Sequence, residues 1–478
     1  MVSKKYCLFL FTNAQNGGTF MVQIDEKVVG LSKAKLASIF DEGTFVELGA
    51  YTKRPSSQTE FEGVVCGYGS VNGKLTFAFV QDSGRTKGAF GERHAKKIEG
   101  LYSMAVKNGA PVIGVFDSAG AVVYDGAAAL AAYGRVMKCV SDASGIIPQI
   151  AIIDGVCGGS LAVVASMFDF TVTVKGTSAL YVNSPFVVGK EAGTAEFAAT
   201  NGLSAYNAQS GEEAYSYVRE LIMLLPQNNA DGAYMETADS MDRQVSLPAD
   251  KDTEALVKNL ADNGSFVPMY ASYTDNACLG FATFGGLTVG VVASNTKKDG
   301  VLDIKSARAI TKLVSFCDSF SLPVLTLVDS VGLDVSLETE AAAYASELAR
   351  LAYAYTSSQN AKVTVVVGKA YGAAFTLLGS KSVGADIAYA LPDACISVLS
   401  PEASVAFVWN DKVGEMSRED VEQEWKEKCA SAADAADAGE IDDVIEATEL
   451  RQRICAAFNM LASKAEGMPT RRHSTLPL

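Results

Sequence analysis

Short, unbroken apolar runs alternate with amphipathic stretches along this chain, and the whole alternation is run through twice. In the first pass, β-branched and aromatic residues at 68–82 flank a glycine turn and predict a strand pair; 92–108 follows with the 3.6-residue period of a helix. A continuous apolar strand at 112–118 runs into Asp117-Ser118, and a second helix is expected at 125–142. A buried strand at 148–154 leads through a small-residue turn into a helix at 158–168, and a strand at 170–174 closes the pass. The second pass predicts the same order at 279–294, 303–321, 324–330, 338–356, 362–368, 372–383 and 386–390. Strands this short and this uniformly apolar suit sheets covered by helices, so each half is expected to be an α/β layered unit.

The repetition also appears letter by letter, as an internal duplication should. Asp41-Glu42-Gly43-Thr44-Phe45-Val46 returns as Asp262-Asn263-Gly264-Ser265-Phe266-Val267, and the Gly67–Phe77 stretch returns as Gly280–Gly290. Ala110-Pro111-Val112-Ile113-Gly114-Val115-Phe116-Asp117-Ser118 matches Leu322-Pro323-Val324-Leu325-Thr326-Leu327-Val328-Asp329-Ser330, and Cys157-Gly158-Gly159-Ser160 is aligned with Tyr371-Gly372-Ala373-Ala374. From the second block on, the offset stays within 212–214 residues. Loop-like text around 230–250 marks the joint, giving expected domains 1–235 and 236–478.

Composition narrows the chemistry. With 478 residues the chain exceeds one ordinary core, and 49% hydrophobic with 20% charged residues is the profile of a globular enzyme. A net charge of −15 with scattered basic residues speaks against nucleic acid as a partner. The nine cysteines hold no C-x-x-C pair, so they read as reduced thiols of a cytoplasmic protein rather than zinc ligands, and no metal is expected. The run Lys4–Phe11 makes a poor secretory signal, and no stretch has the length and purity of a membrane span. Only two histidines occur, His94 and His473, the latter in a polar tail, so the reaction must proceed with few imidazoles.

The informative positions are the turns at Gly158-Gly159 and Gly372-Ala373-Ala374. Each follows a buried strand and opens a helix, where backbone N–H groups lack partners and small side chains let a ligand oxygen approach. Such a place suits an oxyanion, for instance the enolate oxygen of a thioester that has lost its α-proton. One turn of this kind is ordinary packing chemistry; the same turn at the same place in both halves points to two reactants. Asp117 and Asp329, at strand ends, are expected to orient loops. Glu92, Arg93, Lys96 and Lys97 read as a solvated helix face, and the acidic run 419–427 as an exposed helix.

With those turns in view, the chain resembles the carboxyltransferase β-subunit family of biotin-dependent acyl-CoA carboxylases and decarboxylases. The likeness is carried by Phe90-Gly91-Glu92-Arg93-His94-Ala95-Lys96-Lys97-Ile98, Gly109–Gly114, Gly145–Ile150, Lys369-Ala370-Tyr371-Gly372-Ala373-Ala374, Gly379-Ser380-Lys381, Gly384-Ala385-Asp386 and Ile441–Ile445. It runs from about residue 38 to the C-terminus. It implies tandem crotonase-like domains, each a spiral ββα unit. The first would bind the CoA thioester, with Gly158 and Gly159 as oxyanion donors. The second would take biotin, with Ala373 and Ala374 as donors and Gly372 and Tyr371 lining the site. Arg85 and Lys87 are candidates for the CoA phosphates. The resemblance further implies a homo-hexamer, a trimer of dimers whose sites form between the first half of one subunit and the second half of another. The substrates themselves would act as acid and base, so no catalytic histidine is needed.

Several positions depart from the family text: Asp117-Ser118-Ala119-Gly120-Ala121-Val122 where Asp-Ser-Gly-Gly-Ala-Arg is common, Ser330-Val331-Gly332-Leu333 in place of a Pro-Gly-Phe turn, and Thr376 where an acid is usual. Thr376 bears on acyl preference. No Met-Lys-Met-like biotin attachment sequence and no Walker-type loop occurs, so biotin is expected on a separate biotin carboxyl carrier protein. Further partners would be a biotin carboxylase or the subunits of a membrane decarboxylase, to which the protein would be peripheral. The second-half departures and Val182-Asn183-Ser184-Pro185 lean toward decarboxylation. Two other readings stay open at this point, a biotin-independent crotonase-type hydratase or hydrolase and a non-catalytic scaffold subunit.

Overall fold

The structure, a computed structural model, describes residues 8–12, 19–23, 31–53, 61–414 and 416–465. The lysines at the start of the Lys4–Phe11 run and the tail with His473 lie outside the described residues. Two compact units divide the chain, residues 1–228 and 229–478.

In the first unit β1 (Leu8–Thr12) and β2 (Thr19–Gln23) form an antiparallel hairpin. An eight-stranded sheet follows, built from β3 (Val46–Leu48), β4 (Val64–Val71), β5 (Lys74–Gln81), β6 (Val112–Ser118), β7 (Gln149–Gly158), β8 (Phe170–Val174), β9 (Ala179–Tyr181) and β10 (Tyr206–Ala208). Its order is β10-β8-β7-β6-β5-β4-β3, with β9 beside the far end of β7. Strands β3 to β5 are antiparallel and the rest parallel. The β4–β5 hairpin turns at Asn72-Gly73, both with positive φ (48° and 84°), as a two-residue hairpin loop requires. Helices Glu92–Asn108 and Ala127–Ala143 bury Ile98, Leu101, Val136 and Val140 against the sheet. Beneath them Phe116 meets Phe79 and Phe168 edge to face, with centroids 5.4 and 5.6 Å apart.

The second unit repeats this plan with β11 (Val267–Met269), β12 (Ala277–Phe284), β13 (Leu287–Ser294), β14 (Val324–Ser330), β15 (Lys362–Tyr371), β16 (Ile387–Ala390), β17 (Cys395–Ser397) and β18 (Asp443–Val444). The order is β11-β12-β13-β14-β15-β16-β18, with β17 on β15 as β9 is on β7. The stretch read as linker is built onto this unit. Tyr234 bridges to Leu287, and the Met235 amide donates to the Gly286 carbonyl at 2.8 Å.

Some elements differ from the sequence reading. The helix expected at 338–356 is two, Leu337–Ala341 and Tyr344–Ser357, broken where Ala343 takes φ 59°. Strands expected to stop at 154 and 368 continue to Gly158 and Tyr371 through matching register shifts, between Phe116 and Ser118 and between Val328 and Ser330. At each shift a strand-end aspartate sits over a glycine. A Cβ on Gly155 would come within 2.1 Å of Asp117 Oδ1, and one on Gly368 within 2.5 Å of Asp329 Oδ1. Lys97 does not belong to a solvated face: it turns inward, 2.8 Å from the Val64 carbonyl and 3.4 Å from Glu47.

Candidate active site

Both long central strands end in the same geometry. Gly159 (φ 61°, ψ −129°) and Gly372 (φ 58°, ψ −144°) turn the chain from strand into helix, in a conformation that favours glycine. The Gly159 amide donates to the Tyr181 carbonyl of β9 and the Gly372 amide to the Ser397 carbonyl of β17, each at 2.9 Å. Helices Ser160–Ser166 and Ala373–Leu377 begin at the next residue. Their third amides, Ala162 and Phe375, already bond the carbonyls of Gly159 and Gly372, at 3.1 and 3.2 Å. The first two amides of each helix, Ser160 and Leu161, Ala373 and Ala374, meet no acceptor among the described residues.

In the first half this unengaged pair lies beyond the two glycines read from the sequence as donors. Gly158 is a ladder residue in register with Tyr181, and the Gly159 amide is engaged, so the free pair lies further along, at Ser160 and Leu161. The match of Cys157 with Tyr371 was one residue out of step: strand ends align Gly158 with Tyr371 and Gly159 with Gly372. Ala373 and Ala374 occupy the places of Ser160 and Leu161.

Arg85 and Lys87 stand on a strained loop. Thr86, Lys87 and Gly88 have φ of 52°, 55° and 62° in succession, two of them without glycine's freedom. The loop is pinned to the strand end: the Ala119 amide donates to the Lys87 carbonyl at 2.9 Å, and a Cβ on Gly88 would lie 2.4 Å from the Asp117 carbonyl. Since Ser118 is in register with Cys157, the loop and the Gly158–Leu161 turn share one edge of the sheet. Arg85 is tied by its Nε to Asp82 at 3.5 Å, whereas the Lys87 side chain is exposed.

In the second unit Tyr371 lines a cavity of about 710 Å³ with Asp329, Gly368, Lys369, Cys395 and Glu402. Burial, with Cys395 beside it, pushes the Tyr371 phenol above its usual range, so it stays protonated. Asp329 Oδ1 accepts from the Lys369 amide of β15 at 2.7 Å, and Asp117 Oδ2 accepts from Ser83 Oγ, on the loop before Arg85, at 2.6 Å. Among the described residues, no group of three His, Cys, Asp or Glu is placed to hold a metal ion, and no helix is long and apolar enough to cross a membrane.

Sibling α/β units whose central strands each run into a helix start define a crotonase-like protein. Comparison with known proteins makes this specific. The carboxyl transferase domain model matches residues 31–476. The methylmalonyl-CoA decarboxylase subunit alpha of Propionigenium modestum is 34% identical over 94% of this chain and 93% of its own. The propionyl-CoA carboxylase carboxyltransferase subunit of Haloferax mediterranei is 32% identical with the same coverage. Among solved structures, the transcarboxylase 12S hexamer with methylmalonyl-coenzyme A and methylmalonic acid bound superposes with a TM-score of 0.88 at 28% identity, over 93% of this chain and 92% of its own. The chain belongs to the carboxyl transferase family. The resemblance and the fold class read from the sequence both hold, and the chain is a carboxyltransferase.

Proposed function

We propose that this carboxyltransferase moves a carboxyl group between biotin on a separate carrier protein and a short-chain acyl-CoA, using Ser160 and Leu161 for one reactant and Ala373 and Ala374 for the other. One observation carries the reading: two pairs of unengaged amides at duplicated positions, one per unit. The first unit takes the acyl-CoA. Its amides stabilise the thioester oxygen as the α-proton leaves, and exposed Lys87, with Arg85 beside it, meets the CoA phosphates. The second unit takes biotin, with its oxygen at Ala373 and Ala374 and with Gly372 and Tyr371 forming the wall. Biotin supplies the transferable carboxyl group and its ring nitrogen; the protein supplies position and fixed dipoles.

The apolar surface beside each pair of amides supports a site completed by another subunit. After β9, Phe186 and Val187 are 98% and 82% exposed; after β17, Val398 and Phe407 are 83% and 81% exposed. Patches of this kind on both units suit reciprocal packing of the first unit of one chain on the second of its partner, closed as a hexamer. A carrier protein and either a biotin carboxylase or membrane decarboxylase subunits complete the cytoplasmic complex.

Proline at the first position of a helix keeps the helix and deletes one N–H, which makes a clean test. With free biotin and malonyl-, methylmalonyl- or glutaconyl-CoA, the wild type releases CO2 in a biotin-dependent way. Ser160→Pro and Ala373→Pro each lower kcat about 10²–10³-fold in protein that remains folded. Turnover that ignores biotin, or a Ser160→Pro protein as fast as the wild type, overturns the reading.

A further inference from the structure

Under the loop that carries Arg85 and Lys87 runs a line of buried polar side chains. Gln81, the last residue of β5, accepts the Asp117 amide through Oε1 at 3.1 Å. Its Nε2 lies 3.3 Å from His94 Nε2, on the helix Glu92–Asn108. Because Asp117 claims the amide oxygen, the amide nitrogen donates to the ring. His94 Nε2 therefore accepts, and the proton sits on Nδ1, which faces Glu62 Oε1 at 3.5 Å. His94, Gln81 and Glu62 are 0%, 1% and 4% exposed.

The line ends at Asp117, and Asp117 touches both parts of the site in this unit. Its carboxylate takes Ser83 Oγ at 2.6 Å, on the loop with Arg85 and Lys87, and contacts Lys35 Nζ and the Val156 amide, each at 3.4 Å. Val156 stands on the irregular stretch of β7 that leads to Ser160. A shift of Asp117 thus displaces the loop on one side and the helix start on the other.

Among the described residues the second unit lacks this line. Ser294 ends β13 where Gln81 ends β5, and Ser306, third in its helix as His94 is in its own, instead bonds Thr274 Oγ1 at 2.8 Å. The arrangement is thus peculiar to one half of a duplicated fold, and packing common to both halves does not explain it.

We infer that His94, as the neutral Nδ1–H tautomer, is a positioning residue for the acyl-CoA half of the reaction: it fixes Gln81, which fixes Asp117 and, through it, the Arg85–Gly88 loop and the Ser160 turn. The inference rests on the assignment of acyl-CoA to the first unit. Two near-isosteres separate positioning from bulk packing. Glutamine ends where Nε2 lies and still offers Gln81 an oxygen; asparagine ends where Nδ1 lies and leaves Gln81 without an acceptor.

In full-length protein assayed with methylmalonyl-CoA and free biotin, His94→Asn lowers kcat/KM for the ester at least tenfold and leaves KM for biotin within twofold. His94→Gln stays within threefold of the wild type on both. If His94→Asn does not fold, Gln81→Met takes its place with the same expectation. A folded His94→Asn protein with wild-type kcat/KM, a Gln variant as impaired as the Asn variant, or equal losses on both substrates overturns the inference. Calorimetric Kd values for CoA give an independent arm: tenfold weaker for Asn, unchanged for Gln. If the wild type turns over no ester, the proposed substrate assignment falls, and the CoA arm alone decides for or against the relay.

Discussion

The two units clamp the same hairpin turn with the same pair of charges, one of them half in solvent and the other wholly inside. In the first, Asp41 accepts from the turn amides of Asn72 and Gly73, each at 3.0 Å, and Arg219 reaches it at 2.8 Å. In the second, Asp262 accepts from Gly285 and Gly286 at 3.0 and 2.8 Å, and Arg451 reaches it at 2.6 Å. The side chains are 25% and 29% exposed in the first pair, against 0% and 4% in the second. Arg451 also donates to the carbonyls of Ser240 and Leu260 and lies 3.5 Å from Asp239, so the segment after residue 229 is stapled down through it. Duplication preserved the device, and burial changed what depends on it: a water-facing pair is worth little, while a desolvated one leaves a stranded charge when either partner goes.

The strongest way to break this comparison is Arg451→Met, which strands Asp262 in the core. It should cost about 3–5 kcal/mol, read as a lower urea midpoint for the second unit. A smaller effect separates the halves by pH. Burial, opposed by Glu62 and reinforced by Lys97, holds His94 below its usual 6.5. The unfolded chain then binds a proton that the folded one refuses, so stability is full above pH 6.5 and falls as the pH drops below it, by at most about 1.4 kcal/mol per pH unit. His94→Gln flattens that slope in a urea series from pH 7 to 5, and the hydroxyl pair of the second unit contributes none. Arg219→Met is the mildest, about 1 kcal/mol or less. Burial works against the Asp41 carboxylate, yet Arg219, Ser70 and the turn amides outweigh it and keep its pKa below the usual 3.8. That contribution is present above pH 3.8 and lost as the pH falls further, so the variant should match the wild type most closely in strong acid. An Arg219→Met loss as large as that of Arg451→Met would erase the distinction.

Much of the layout could be read from the text because burial on both faces writes it plainly. Strands β6 and β14 and the helix Glu92–Asn108 fall where the apolar runs and the helical period place them. Less legible are β9 and β17, three residues long and too short to leave a pattern, yet they supply the carbonyls that occupy the Gly159 and Gly372 amides. Small residues run on past both strand ends, so the letters alone pair Ser160 with Ala374, whereas the helix starts pair it with Ala373. Lys97 was misread because a long stem can carry its charge to a buried carbonyl from a helix that otherwise looks solvated. Arg219 and Arg451 went unnoticed as counterparts, since they are spaced more widely than the repeated blocks around them.

Because the unengaged donors at Ser160, Leu161, Ala373 and Ala374 are main-chain groups, every amino acid except proline carries the same N–H. The donor does not depend on the side chain, and a hydroxyl, a leucine and two methyls already share the four places, with Leu161 and Ala374 packed into the core. Taking the hydroxyl from Ser160 would leave its donor in place, whereas Leu161→Ala would open a cavity without removing an N–H. At these helix starts it is the bend in the thread that presents the donors, not the letters spelled along it.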